Sequence, residues 1–285
     1  MTSAIVVEGG AMRGIFAAGV LDVLLEQGTG PFDLAIGSSA GACNLASHLA
    51  GQHRRNYRCY LTQMRRKEFS DARRFLRGGH WLDIDYLWGA FDREDPLDTT
   101  AAARSRTRLV VGTTAVDTGE AAFFEPGAAD MSEVLRASSA VPFLFRRFVE
   151  LGGRPFADGG VAAPIPVEEA HRRGARRILV IRSRPADFPG PSRLECSFVA
   201  AALREHRGLA RAFLRYRSIY GRSVAFLKLP PPGTTVVHVA PDRHLGTSRM
   251  TRDRATLERD YARGRAAGLR AAAAWTTGRS ARVLG

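Results

Sequence analysis

Lysine is almost missing from this chain: of 42 basic residues only Lys67 and Lys228 are lysines, which leaves 40 arginines. Cysteine is nearly as scarce. Cys43, Cys59 and Cys196 form neither a metal-ligand spacing nor an even disulfide framework, which argues against a zinc module or a disulfide-stapled secreted domain. A reducing, cytoplasmic compartment is therefore expected. No uninterrupted apolar run reaches the ~18 residues that a spanning helix needs. Residues 1–8 have no basic stretch ahead of their apolar run and meet Glu8 early, so no signal peptide is expected. The 29 glycines and 14 prolines follow no period, and 45% of residues are hydrophobic, which excludes collagen and disorder. What is left is an ordinary globular composition, long enough in its 285 residues for a full core and expected to form one domain over 1–285.

Acidic residues are also in deficit, 28 against 42 basic, giving a net charge of +14 and a pI near 10.9. Two readings compete. One is a compositional bias toward Arg and Ala, which the alanine runs near the C-terminus support. The other is attraction to phosphate, in nucleic acid or at an anionic membrane surface. Composition alone does not choose between them.

Periodicity organises the chain. The apolar run Ile5-Val6-Val7 ends in Glu8-Gly9-Gly10-Ala11-Met12-Arg13-Gly14, and helical spacing follows over 15–26. A second apolar run over 32–36 ends in Gly37-Ser38-Ser39-Ala40-Gly41, followed by a small-residue helix over 42–50. Strand, glycine turn, helix, repeated, predicts a parallel sheet covered on both faces. Beyond it, 108–116 predicts a strand turning through Asp117-Thr118-Gly119-Glu120 into 121–124. Helices are predicted over 131–139, 166–173, 193–222 and 253–274, with further strands ending near Asp158, over 178–181 and over 236–239. Residues 54–90 interleave arginine with Tyr, Phe and Trp and are expected to cap the site.

The glycine turns carry the chemistry. Gly37-Ser38-Ser39-Ala40-Gly41 fits G-x-S-x-G, which presents a central serine on a sharp strand-to-helix turn, with the helix start aimed at developing negative charge. On its own the pattern is equally compatible with a plain loop between strand and helix. The first turn fails both phosphate-loop tests. A dinucleotide fingerprint needs glycine where Ala11 stands, and a P-loop needs Lys and Ser or Thr where Ile15 and Phe16 stand. Its remaining functional reading is a source of backbone N–H donors, an oxyanion hole. A nucleotide-binding regulator is correspondingly disfavoured.

The base has two candidate types. The usual hydrolase order of Ser, acid, then a late His nominates His238 or His244. His238, however, lies inside an alternating strand and His244 beside Asp242 and Arg243, where structural and solvated roles are the simpler readings. Asp158 is the stronger candidate: it ends a strand and is followed by Gly159-Gly160, which allow another loop to come close.

Taken together, the Gly9–Gly14 loop with Arg13, the Gly37–Gly41 turn around Ser39, Ala137-Ser138-Ser139-Ala140-Val141-Pro142 and Asp158-Gly159-Gly160 resemble, in content and order, the bacterial patatin-like phospholipases. Similar stretches extend the likeness over most of the chain, among them Ala163-Pro164-Ile165-Pro166-Val167 and Leu257-Glu258-Arg259-Asp260-Tyr261. The resemblance implies a three-layer α/β/α sandwich around a mostly parallel sheet. It implies a lipid acyl hydrolase with Ser39 as nucleophile and Asp158 as proton acceptor, without metal or cofactor, and with catalytic motifs inside 4–170. The oxyanion hole then falls on Gly9, Gly10, Ala11, Met12, Arg13 and Gly14, chiefly the amides of Gly10 and Ala11. Many members carry a third glycine where this chain has Ala11, a substitution that is awkward if φ there is positive. The implied partner is a lipid ester, with the basic surface suited to anionic lipid at the inner membrane face. Nucleic acid is disfavoured because no recognition motif accompanies the charge. A Ser-His-Asp esterase or thioesterase, or a non-catalytic lipid binder on the same fold, are the alternatives.

Overall fold

The computed structural model describes residues 1–284. β1 (Ser3–Val7) is apolar after its first residue and fully buried from Ala4 onward. One tight turn over Ala11–Arg13 leads into α1 (Gly14–Glu26), then β2 (Leu34–Ser38) and α2 (Ala40–Leu49). Four shorter helices follow: α3 (Arg55–Leu61), α4 (Ala72–Leu76), α5 (Ile84–Glu94) and α6 (Thr99–Ala103). The last three start where sequence logic places a start, on Asp71, Asp83 and Asp98, whose carboxylates accept first-turn N–H groups. β3 (Arg108–Ala115) turns into β4 (Ala121–Phe124), followed by α7 (Met131–Ser138), β5 (Val149–Leu151), β6 (Arg154–Asp158), α8 (Val167–Arg172) and β7 (Arg177–Ile181). The chain continues through α9 (Arg193–Ala202), α10 (Arg207–Lys228), β8 (Thr235–Ala240), α11 (Arg254–Thr277) and β9 (Ala281–Leu284).

These nine strands form one sheet in the order β5-β6-β3-β2-β1-β7-β8-β9, with β4 also paired to β3. From β3 to β9 every neighbouring pair is parallel, while β4 and β6 run antiparallel to β3. The alternation within β1 sorts the layers. Ile5 and Val7 pack with Phe16, Val20 and Leu24 of α1 and with α2, α7 and α11. Ala4 and Val6 face the other way, onto Val167 and Ala170 of α8 and Tyr220 and Leu227 of α10. The result is the α/β/α sandwich that the strand–turn–helix grammar predicts.

α11 packs against α1 so closely that a Cβ on Gly19 would lie 2.4 Å from the Tyr261 carbonyl oxygen, and one on Gly264 would lie 2.1 Å from that of Phe16. Only glycine fits at both crossing points, and they tie the late helix to the first one.

The structure adds three details that the sequence pattern does not carry. The stretch 193–222 is two helices, not one. The chain turns over 203–206 so that Leu203 and Leu209 can both bury against Val116 and Ala157. β5 and β9, three and four residues long, carry no alternation that would mark them. The aromatics of 54–90 are largely committed internally: Tyr60 and Phe69 are buried, Trp81 packs on Phe75, and the Trp88 indole donates to the Ser132 carbonyl. Of this segment, only Leu82 reaches the main cavity.

Candidate active site

The carboxyl ends of β1, β2, β6 and β7 meet at one end of the sheet, and each delivers part of the site. β2 stops at Ser38, Ser39 takes φ 54° and ψ −132°, and α2 starts at Ala40. A positive φ is rare for serine and is held here by its surroundings. A Cβ on Gly37 would come within 2.7 Å of the Ala42 nitrogen, and one on Gly41 within 2.4 Å of the Val7 carbonyl oxygen. Both flanking glycines of G-x-S-x-G are therefore steric requirements of the turn. Ser38 points away, its hydroxyl donating to the Ala163 carbonyl at 2.8 Å, which leaves Ser39 facing the cavity.

Asp158 is the last residue of β6. Its Oδ2 accepts from the Ser39 hydroxyl at 2.6 Å and its Oδ1 from the Gly160 N–H at 2.7 Å. Gly159 is what lets this strand end sit against β3: a Cβ there would fall 1.9 Å from the Gly112 carbonyl oxygen. Asp158 is 7% exposed. Burial pushes its carboxyl up to about 6, against the lowering pull of the Ser39 hydroxyl, the Gly160 N–H and the charge of Arg249. No cation forms an ion pair with it among the described residues.

The segment 137–142, part of the resemblance noted above, positions both residues. The Ser138 hydroxyl accepts from the Ser39 N–H at 2.8 Å and donates to the Gly112 carbonyl at 2.6 Å. The Ala140 carbonyl accepts from the Asp158 N–H and the Ser138 carbonyl from the Gly159 N–H. Sequence reading assigned these residues no such part, because nothing in a serine pair marks one as a backbone anchor.

The Gly9–Gly14 turn borders the same cavity. Gly9, Gly10, Ala11 and Arg13 line it, while Met12 is buried and Gly14 opens α1 beneath the Tyr60 ring. The N–H groups of Gly10, Ala11 and Met12 have no acceptor among the described residues. Ala11 has φ 49°, the sign that makes its methyl awkward. What fixes the turn is a buried network that sequence reading also missed. Glu8 accepts from the Ser183 N–H at 2.7 Å and the Tyr220 hydroxyl at 2.9 Å, with Arg182 at 3.8 Å, and the Ser183 hydroxyl donates to the Gly9 carbonyl. The only signal for it was a charged residue directly after a buried strand.

Neither candidate histidine takes part. His238 lies within β8, its Nε2 buried without a partner, and burial together with Arg182 and Arg282 pushes it down to about 3. His244 reaches the cavity wall but is exposed and packs on Phe188, and the Ser39 hydroxyl is already donated to Asp158. The described residues contain no cluster suited to a metal ion, and no helix among them is long and apolar enough to cross a membrane.

The cavity itself measures about 860 Å³, and Leu82, Leu144, Phe198 and Phe213 line it together with the Ser39–Asp158 pair. An apolar space of this size beside a hydroxyl–carboxylate pair suits an acyl chain.

Comparison with known proteins identifies the family. Residues 5–171 match the patatin-like phospholipase family, and residues 206–277 match a domain of unknown function (DUF6363). The chain is 33% identical over 272 residues to the uncharacterized protein YjjU of Escherichia coli (strain K12), covering 93% of this chain and 75% of that one. The crystal structure of VipD from Legionella pneumophila aligns with a TM-score of 0.46 at 13% identity, over 96% of this chain and 67% of that one. With the family match spanning more than half of its residues, the chain belongs to the patatin-like phospholipases, a family of lipid acyl hydrolases.

Proposed function

We propose that the protein hydrolyses carboxylic esters of phospholipids or lysophospholipids through a Ser39–Asp158 dyad. The observation that carries this reading is the 2.6 Å hydrogen bond from the Ser39 hydroxyl directly to a buried carboxylate, with no histidine between them. Ser39 Oγ attacks the ester carbonyl while Asp158 Oδ2 takes its proton. The N–H groups of Gly10 and Ala11, unoccupied and bordering the cavity, support the oxyanion. Collapse of the tetrahedral adduct breaks the ester bond, and the leaving alkoxide recovers the proton from Asp158. Water then attacks the acyl-enzyme, gives its proton to Asp158, and the fatty acid leaves as Ser39 Oγ is reprotonated.

A carboxylate is ordinarily a weak base for an alcohol. The burial that lifts Asp158 to about 6 moves it toward the operating range, and preorganised amides supply the rest. We also read the chain as one functional unit, since α11 and α10 cover the sheet whose strand ends hold the site.

Hydrolysis of a short p-nitrophenyl ester tests this reading. Ser39→Ala and Asp158→Asn are each expected to lose about 10³-fold or more in kcat with the circular dichroism of the fold intact. Full activity in Asp158→Asn together with its loss in His238→Ala overturns the dyad in favour of a histidine triad.

A further inference from the structure

Three arginines reach the cavity from three separate segments: Arg13 before α1, Arg184 after β7, and Arg249 between β8 and α11. Arg13 is the unusual one. Its side chain is 6% exposed, Nε is buried without any partner, and no protein acceptor takes a hydrogen bond from its guanidinium among the described residues. A cation buried this deeply without a hydrogen-bonded partner is unfavourable unless an anion comes to it. Arg184 and Arg249 add to this cost: burial, together with these two charges and against the raising pull of Glu8, pushes the Arg13 guanidinium down to about 10. Neither has an ion-pair partner among the described residues, and Arg184 only lies over the Phe188 ring at 4.4 Å.

The carboxylates nearby act on this charge only across space, Glu8 on Arg13 and Glu195 on Arg184 and Arg249, because their hydrogen bonds go elsewhere. Glu8 is bound to Ser183, Tyr220 and Arg182. Glu195 is exposed and held by the Ser192 N–H in the cap of α9. Asp158 is occupied by Ser39 and Gly160. Arginine presents planar paired donors that match phosphate oxygens, and three of them beside the unoccupied N–H groups of the Gly10 turn make an anion-binding wall.

We propose that Arg13, Arg184 and Arg249 form a phosphate subsite next to the Ser39–Asp158 pair, so that the substrate is an acyl ester carrying a phosphate headgroup and not a neutral glyceride. Two of the three arginines lie outside the 5–171 stretch that places the chain in its family. Arg249 lies inside the 206–277 segment, which also sends Phe213, Tyr216 and Tyr220 to the cavity wall. The role assigned to that segment is therefore to complete the site and read the headgroup. The proposal rests on the acyl-hydrolase reading above for its reaction, but not for its binding.

The test uses soluble short-chain substrates, so that no lipid surface contributes: a monoacylglycerol phosphate and the monoacylglycerol of the same chain length. The wild-type protein is expected to favour the phosphate ester at least tenfold in kcat/KM, mainly through KM. Arg184→Gln and Arg249→Gln should each lower that ratio about tenfold, with Arg249→Lys recovering part of it. Arg204→Gln, on the surface outside the cavity, controls for overall charge and should leave the ratio unchanged. Separately, inorganic phosphate should raise the melting temperature of the Ser39→Ala protein, and Arg249→Gln should remove that shift. Neutral and phosphate esters cleaved alike, or a preference indifferent to both Gln variants, overturns the subsite while the hydrolase stands. No turnover of either ester overturns the hydrolase reading, and a phosphate shift that depends on Arg249 then still supports the anion site.

Discussion

Glu8 and Asp158 are both carboxylates at the carboxyl ends of strands in one sheet, 3% and 7% exposed, and their surroundings give them opposite characters. Glu8 meets a fully buried arginine, a tyrosine hydroxyl and a backbone N–H, and nothing in that set changes during a reaction. Asp158 has one backbone N–H and one serine hydroxyl, with no cation in contact among the described residues. Its charge is therefore poorly supported, and burial raises its affinity for a proton. A buried carboxylate with a paired cation suits a scaffold, whereas one without suits the base proposed for Asp158.

The same isosteric change at both positions separates the two characters and has the largest expected effect. Glu8→Gln leaves Arg182 buried without its counter-charge and is expected to cost about 3–5 kcal/mol of stability, read from the denaturant midpoint. Asp158→Asn removes a charge that was unfavourably buried. It should hold or raise that midpoint while abolishing turnover, the usual opposition of stability and activity at a site. Loss of stability in both variants erases the distinction.

Titration sharpens it further. Asp158 must be ionised to accept the Ser39 proton, so kcat/KM should fall about tenfold for each pH unit below 6 and level off above it. Stability should run the other way. The folded carboxyl holds its proton up to about 6 and the unfolded one only to 3.8, so folding loses support as pH rises between those values. By pH 7 the loss amounts to about 3 kcal/mol. Comparing wild type with Asp158→Asn across pH 4–7 isolates this contribution, and parallel stability curves would contradict it.

How much of this was legible in the sequence follows from how each feature is encoded. The sandwich was legible because β1, β2 and β7 are contiguous apolar runs and each glycine turn sits where a strand must hand over to a helix. Ser39 and Asp158 were legible because close approach demands Gly37, Gly41 and Gly159, and glycine at fixed offsets is visible in one dimension. Ser138, Arg182 and Tyr220 were not. They act through single contacts between residues far apart in the chain, 99 positions for Ser138 with Ser39 and 212 for Tyr220 with Glu8, and no local pattern records such a meeting. The basic surplus stayed ambiguous for the same reason: Arg13, Arg184 and Arg249 are three of 40 arginines, and only the fold brings them to one wall. The break over 203–206 escaped because helix periodicity continues on both sides of it.

The smallest expected effect probes the turn that Glu8 anchors. Ala11 and Ser39 are both non-glycine residues at positive φ, 49° and 54°, and both border the cavity. At Ser39 the strain accompanies the side chain proposed as the nucleophile. At Ala11 the methyl has no evident use, and relieving it by Ala11→Gly should add about 1 kcal/mol of stability, less the entropy that glycine gives the unfolded chain. Glu8, Ser183 and Tyr220 already fix the backbone on either side of the oxyanion turn. The N–H groups of Gly10 and Ala11 should therefore keep their places, and kcat/KM on the p-nitrophenyl ester should stay within about threefold of wild type. A tenfold loss would show that the methyl, and not the buried carboxylate network, holds the turn, and would move Glu8 out of the scaffold role that sets it apart from Asp158.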